Sequence, residues 1–247
     1  MLNSARAHKA GHTMCAGVLA ETQSAIDGVV RRLARGQFSP PPQLLDIGCW
    51  DGGATLRYAA SMGAVPHGIE VFPEPAERAR ARGVRVASLD LERSPFPWER
   101  GTFDVVIANQ VFEHLKNIWL PLAEVHRVLK PGGHFVISVP NLASLHNRVL
   151  LALGVQPTSI RTLGPHVRGY TLSELVALLR LDGAFAIRAV VGVGFYPFPA
   201  RAATPLARLW PGASHTPVVV AEKVRDMDVA PWAAYKDAAD SGQTFYG

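Results

Sequence analysis

Short apolar runs alternate with amphipathic stretches through the middle of this chain, and that alternation constrains its fold more than any other feature. The pattern predicts strands near 43–48, 66–71, 84–89, 103–109 and 133–139, with helices near 52–62, 74–82 and 118–129. In the last helix Ile118, Leu122, Val125 and Leu129 recur on one face. Continuous apolar strands separated by helices specify an α/β fold with a mostly parallel sheet covered on both faces. In such sheets ligands sit beyond the carboxyl ends of the strands, so chemistry is expected just after each strand.

The flanking segments extend the pattern. Ile26, Val29, Val30 and Leu33 predict a helix over 16–35, which GQFSPPPQ then ends. KPGGH at 130–134 reads as a turn between a helix and its next strand. Thr171-x-x-Glu174 is a capping box opening a helix whose apolar face is Leu172, Leu175, Val176 and Leu179. Strands near 184–193 and 217–224 close the pattern, and no internal repeat is visible.

Composition narrows the class. The 247 residues are 48% apolar, enough for one large domain with additions. No apolar run approaches the roughly 18 residues of a membrane helix, and MLNSARAHKAGHTMCAGVLA is too broken for a signal peptide. A cytoplasmic protein without a membrane span is expected. Cys15 and Cys49 form no metal-binding spacing; no metal and no disulfide are expected. The net charge of +5 is spread through helical segments such as RRLAR and ERARAR, so no nucleic-acid partner is expected.

The first strand ends in Asp46-Ile47-Gly48-Cys49-Trp50-Asp51-Gly52-Gly53. A dinucleotide loop starting at Gly48 would carry its second glycine at position 50, where the backbone approaches the pyrophosphate. Trp50 obstructs that approach. It opposes NAD or FAD and leaves room for an adenosine ligand without a pyrophosphate. Glu70 ends the second strand, 18 residues beyond Gly52, close to the spacing of an acidic residue that binds ribose hydroxyls. Asp90 follows the third strand and can accept from an adenine amine, with Leu91 and Phe96 as apolar neighbours. The fourth strand runs into Ala108-Asn109-Gln110-Val111-Phe112-Glu113-His114-Leu115.

In order and spacing, LLDIGCWDGG, Glu70, SLDL at 88–91, FDVVIANQVFEHL at 103–115 and VLKPGGHFVISVPN at 128–141 resemble the class I S-adenosylmethionine-dependent methyltransferases. Trp50 departs from that family's glycine loop also. The resemblance implies a Rossmann-like, seven-stranded, mostly parallel sheet with an antiparallel last strand and helices on both faces. It places an S-adenosylmethionine-dependent methyltransferase domain at 41–225, after a helical lid or extension at 1–40 and before a tail at 226–247. It implies that Asp46 and Gly48 hold the methionine end over a turn that includes Trp50 and Gly52. Glu70 then takes the ribose, Val71, Asp90 and Leu91 the adenine, and Asn109 and Gln110 line the sulfonium pocket; the product is S-adenosylhomocysteine.

The implied acceptor region is 141–170. A hydroxyl acceptor needs its proton removed, and His suits that task near neutral pH. His114, His146 and His166 are the candidates, with a structural role for His114 and Glu113 left open; His8, His12 and His215 read as surface residues. Leu145, Val149 and Leu153 are expected to face inward on a short helix. Arg148, Arg161 and Arg168 are candidates for an anionic group of the substrate. The aromatics of GVGFYPFP at 192–199 wall a pocket or pack a lid, and Trp232, Tyr235, Phe245 and Tyr246 suggest a docked tail. The expected function is methyl transfer to a small-molecule acceptor, at a hydroxyl of a sugar, lipid precursor or natural product. Nitrogen or carbon acceptors, and a non-catalytic binding protein of the same fold, are the alternatives. A monomer or homodimer is expected.

Overall fold

The computed structural model describes residues 2–35, 38, 41–228 and 230–232, with side chains from Gly17 onward except Ala200. His8, His12, Cys15, Tyr235, Phe245 and Tyr246 therefore lie outside the described side chains.

The elements follow the predicted alternation: α1 (Leu2–Leu33), β1 (Gln43–Ile47), α2 (Gly53–Met62), β2 (Val65–Ile69), α3 (Pro73–Ala81), β3 (Arg85–Ala87) and β4 (Phe103–Asn109). Then come α4 (Trp119–Val128), β5 (Leu129–Ser138), α5 (Leu145–Ala152), α6 (Leu172–Arg180), β6 (Phe185–Val193), α7 (Ala200–Leu209) and β7 (Thr216–Lys223). Seven strands form one sheet in the order β3-β2-β1-β4-β5-β7-β6. β7 runs antiparallel between β5 and β6, and the pairings from β3 to β5 are parallel. The Rossmann-like sheet with its antiparallel last strand is as expected.

Strand side chains alternate between two cores, as a period of two requires. Leu45, Ile47, Val106, Ala108, Phe135 and Ile137 meet Leu122 and Val125 of α4 and Leu175 and Leu179 of α6. Leu44, Val105, Ile107 and Val136 meet Ile26, Val29 and Val30 of α1 and Tyr58 of α2. The later half of α1 is thus a sheet-covering helix, and α1 begins well before residue 16.

Two local expectations change. KPGG is not a separate turn, because β5 starts at Leu129. The pairing passes from Phe103↔Leu129 to Val105↔His134, which leaves 130–133 as a bulge in the strand. Lys130 holds that bulge by donating to both carboxylate oxygens of Asp104 at 2.8 Å. Val149 of α5 and Leu153 just beyond its end are exposed, and only Leu145 of the three packs on a small cluster with Phe195. The buried residue of α5 is polar Asn147.

Thr171 caps α6 by accepting the Glu174 N–H at 3.2 Å. The start of the tail docks through Trp232, fully buried, with Nε1–H donating to Leu178 O at 2.9 Å. Among the described residues no helix is long and apolar enough to cross a membrane.

Candidate active site

β1 carries Asp46 into the interior beside the glycine turn, where Thr55 of α2 donates its hydroxyl to Oδ2 at 2.6 Å. Burial pushes the Asp46 pKa from 3.8 to about 7; the Thr55 bond and Arg57 oppose the shift, and the nearby Glu70 charge adds to it.

The turn itself is left-handed at three places: Gly48 (φ 74°), Trp50 (φ 50°) and Gly52 (φ 76°). A Cβ on Gly48 would lie 2.8 Å from Val111 Cγ2, and one on Gly52 2.8 Å from Val84 Cγ2, so conformation and space both demand glycine there. Trp50 has a Cβ, and the left-handed conformation costs such a residue about 1–2 kcal/mol. Its N–H donates to Glu70 Oε2 at 2.9 Å, which helps hold that conformation. Its indole is 55% exposed and rests edge-to-face on Phe72, with centroids 6.2 Å apart. Glu70 Oε1 accepts the Phe72 N–H at 2.9 Å. Asp51 closes the turn, accepting from Gly53 N at 3.1 Å and pairing with Arg82 at 2.8 Å.

Beyond β2, Val71 and Phe72 stand exposed next to Glu70. Asp90 is exposed after β3, with Oδ1 accepting the Glu92 N–H at 2.9 Å, and Leu91 is half-buried beside it. At the end of β4, Asn109 Oδ1 accepts the Ser138 hydroxyl at 2.6 Å. Gln110 follows in the left-handed region (φ 57°), and its Nε2 is buried without a hydrogen-bond partner. Two left-handed residues with side chains within one strand-end row mark this edge as strained, as functional turns often are.

The same edge continues into a histidine-rich wall. Phe112–His114 form a single 3-10 turn with Phe112 and Glu113 buried. The Glu113 carbonyl accepts the N–H groups of Val167 at 2.9 Å and Arg168 at 3.2 Å, which ties the distant 165–168 segment to this turn. His114 Nδ1 faces Pro165 O at 3.3 Å, His166 Nδ1 faces Ser159 O at 2.8 Å, and the two rings lie 4.9 Å apart. Glu113 Oε2 has no hydrogen-bond partner, and burial pushes its carboxyl up to about 8.

His146 is placed differently. Its ring nitrogens contact Ser144 Oγ at 3.2 Å and Thr158 Oγ1 at 2.8 Å. Its ring stacks on His215 at 5.5 Å and 8°, and Tyr196 lies edge-on at 5.5 Å. His215, expected on the surface, is instead part of this wall. Burial pushes its pKa to about 4, and the charges of His146 and His166 act in the same direction. No sequence signal separated it from a surface histidine; the β5–β7 pairing places it here. Asn147 is a second residue the sequence did not reveal. It donates to Asn141 O at 3.0 Å and Ser159 Oγ at 3.1 Å and accepts the Thr158 N–H at 3.0 Å, which braces the loop carrying His166.

The arginines are partly committed. Arg148 donates to Ala143 O and Gly212 O and covers the Trp210 ring, which leaves it a brace. Arg168 donates to Lys116 O. In the 192–199 segment Phe195 is buried, while Tyr196 and Phe198 are exposed.

Residues 45–137, from β1 into β5, match the family model described as a methyltransferase domain. Residues 45–137 are thus a methyltransferase domain, set in a sheet with the fold of the class I S-adenosylmethionine-dependent methyltransferases. Among relatives of this domain, the 27-O-demethylrifamycin SV methyltransferase of Amycolatopsis mediterranei is 31% identical over 113 residues, 42% of each chain. A possible histamine N-methyltransferase of Thermotoga maritima superposes with a TM-score of 0.55 at 19% identity, covering 84% of this chain and 91% of that one. A geranyl diphosphate C-methyltransferase of Streptomyces coelicolor, solved with S-adenosyl-L-homocysteine, superposes at 0.54 with 17% identity, covering 84% of each. At these identities the two structures show the fold. The chain spans 46%, 32% and 42% of three of the curated relatives it matches. The methyltransferase-domain match ends at residue 137, so the histidines contributed by later segments, His146, His166 and His215, fall outside it.

Proposed function

We propose that the protein transfers the methyl group of S-adenosylmethionine to a small-molecule acceptor at a hydroxyl oxygen. The observation that carries this reading is the sheet register: β2, β1 and β4 run side by side in parallel, so Asp46, Glu70 and Gln110 stand at neighbouring carboxyl ends, and the chain passes from Gln110 within four residues to His114, whose ring lies 4.9 Å from that of His166. When bound, the cofactor supplies an electrophilic methyl group on a sulfonium.

The residues fit that cofactor. Asp46 is a buried carboxyl suited to a cationic methionine end, with Gly48 lining the turn beside it. Each Glu70 oxygen accepts one backbone N–H and retains acceptor capacity for ribose hydroxyls. The unpartnered Gln110 Nε2 offers a buried donor beside Asn109. Val71 and Leu91 give adenine apolar faces, and Asp90 accepts from its amine. Trp50 turns its indole toward Phe72 and so leaves the turn's inner side to the cofactor. The protein's task is then to align the acceptor with the methyl group and exclude water. His114 and His166 each direct Nδ1 at a backbone carbonyl, which leaves the Nε2 lone pair for an acceptor hydroxyl. His146, held by two hydroxyl groups, shapes the pocket.

Calorimetry with S-adenosylhomocysteine, with NAD in parallel, tests the cofactor. Binding of the first alone is expected. A screen of hydroxyl, amine and activated-carbon acceptors, read by mass spectrometry for a gain of one methyl, tests the reaction. Methylation confined to nitrogen or carbon would overturn the oxygen assignment, and cofactor binding without any product would favour the non-catalytic alternative.

A further inference from the structure

Glu113, His114 and His166 place one donor atom each within 4.8 Å of one another. We propose that these three residues form a binding site for a divalent transition-metal ion, contrary to the sequence expectation of no metal.

Four observations meet here. Glu113 is 1% exposed, yet its Oε2 has no hydrogen-bond partner. An unpaired buried carboxyl is costly, and an ion is a partner that removes the cost. Both histidines have their ring orientation set from behind: Nδ1 of His114 faces Pro165 O, and Nδ1 of His166 faces Ser159 O. Donation from Nδ1–H to a carbonyl leaves each Nε2 as a neutral lone pair, which is how metal-binding histidines are commonly oriented. His114 Nε2 already lies 4.0 Å from Glu113 Oε1. Finally, the loop carrying His166 is fastened to the 3-10 turn carrying the other two, through the Glu113 carbonyl and the N–H groups of Val167 and Arg168.

Two imidazoles and one carboxylate suit zinc and its first-row neighbours and leave coordination positions open. Metal–ligand bonds of about 2.0–2.2 Å put donors about 3.4 Å apart, so binding draws the three side chains slightly inward. Val111, two residues before Glu113, packs against Gly48 of the cofactor turn. The open positions would therefore take an acceptor oxygen close to the cofactor, and with both Nε2 lone pairs on the ion it is the ion, in place of a free histidine, that would make that hydroxyl lose its proton; this role, unlike the site itself, rests on the methyl-transfer reading.

The test titrates tag-free, chelator-treated protein with Zn²⁺ alone by calorimetry, and with Co²⁺ for its visible absorption spectrum. One ion per chain is expected, with affinity lowered more than about tenfold in Glu113→Gln and in His166→Ala. His146→Ala is expected to bind as the parent does. Thermal melts check that each variant is folded, and Glu113→Gln keeps the side-chain shape if His166→Ala does not fold. No stoichiometric binding, or binding unchanged in both ligand variants, overturns the proposal. S-adenosylhomocysteine is titrated into the same samples. Its binding without metal binding removes the metal site and spares the methyl-transfer reading; metal binding without it does the reverse.

Discussion

Glu70 reaches back from the end of β2 to accept the backbone N–H of Trp50 at 2.9 Å, while its second oxygen accepts the N–H of Phe72. One carboxylate thus ties the glycine turn to the start of the next loop. It also brings together the two residues whose rings meet edge-to-face outside the turn. Glu70 holds the loop's shape, and under the proposed function it holds the ribose as well.

Glu70→Ala is expected to weaken S-adenosylhomocysteine binding by about 1–3 kcal/mol through lost charge-assisted hydrogen bonds. Glu70→Gln, which keeps one acceptor oxygen, should lose less. Calorimetry on folded variants checks both, and an unchanged affinity in Glu70→Ala would remove the ribose role.

Trp50→Gly exchanges two opposed effects. Glycine relieves a left-handed cost of about 1–2 kcal/mol, while loss of the Phe72 ring contact costs about 0.5–1.5 kcal/mol. Chemical denaturation should therefore show a stability change within about 1 kcal/mol. A large loss would mean that the indole packs more tightly than its exposure indicates.

Asp46 makes stability depend on pH. Its folded pKa, about 7, lies above the ordinary value of 3.8, and burial is the main cause. The folded state therefore holds a proton that the unfolded state releases. The resulting stabilisation is full below about pH 4 and is lost as pH rises to about 7. Thr55, Glu70, Arg57, Cys49 and Tyr58 are the polar or titratable neighbours that share this environment. Asp46→Asn should gain stability relative to the parent between pH 4 and 8, by an amount on the order of a few kcal/mol. Melting curves across that range check the sign. A cationic methionine end should also drive proton release below pH 7, visible as a buffer-dependent binding enthalpy.

His114→Ala should slow turnover about 10²–10⁴-fold with near-normal cofactor affinity. The measurement is kcat on the acceptor from the screen, alongside S-adenosylhomocysteine affinity. Unaffected turnover would make His114 structural.

Trp232→Ala should cost about 3–5 kcal/mol, because the indole is fully buried against His126 and Phe185 and its N–H bonds to Leu178 O. Urea denaturation measures it. A loss below about 1 kcal/mol would mean that the tail's docking adds little.

The sheet was legible because its signals are local. β1, β2, β4 and β5 are apolar runs bounded by turns, and the helices repeat their apolar residues at helical spacing, so the α/β class follows from neighbours along the chain. The strand-end positions Asp46, Glu70, Asp90 and Gln110 follow in turn, since alternation alone says which residues stand at a strand's carboxyl end. The KPGG segment was misread because glycine and proline mark both turns and bulges; only its pairing with β4 distinguishes them. Val149 and Leu153 were misplaced because an apolar spacing shows that a helix has a face and not what covers it. His215 was missed, and Glu113 met His166, for the same reason: their partners lie far away in sequence. Asn147 bonds to Asn141, Thr158 and Ser159, only six to twelve residues away, but in an irregular loop that no periodicity describes. His215 reaches His146 only because β7 pairs with β5, and His166 reaches Glu113 only because two backbone N–H groups dock on a distant carbonyl. Periodicity and turn chemistry act over a few residues, so neighbours along the chain set the layers and the edge where chemistry belongs. Which side chains share that edge depended on contacts across 50 or more residues, and those exist only once the sheet has closed its register.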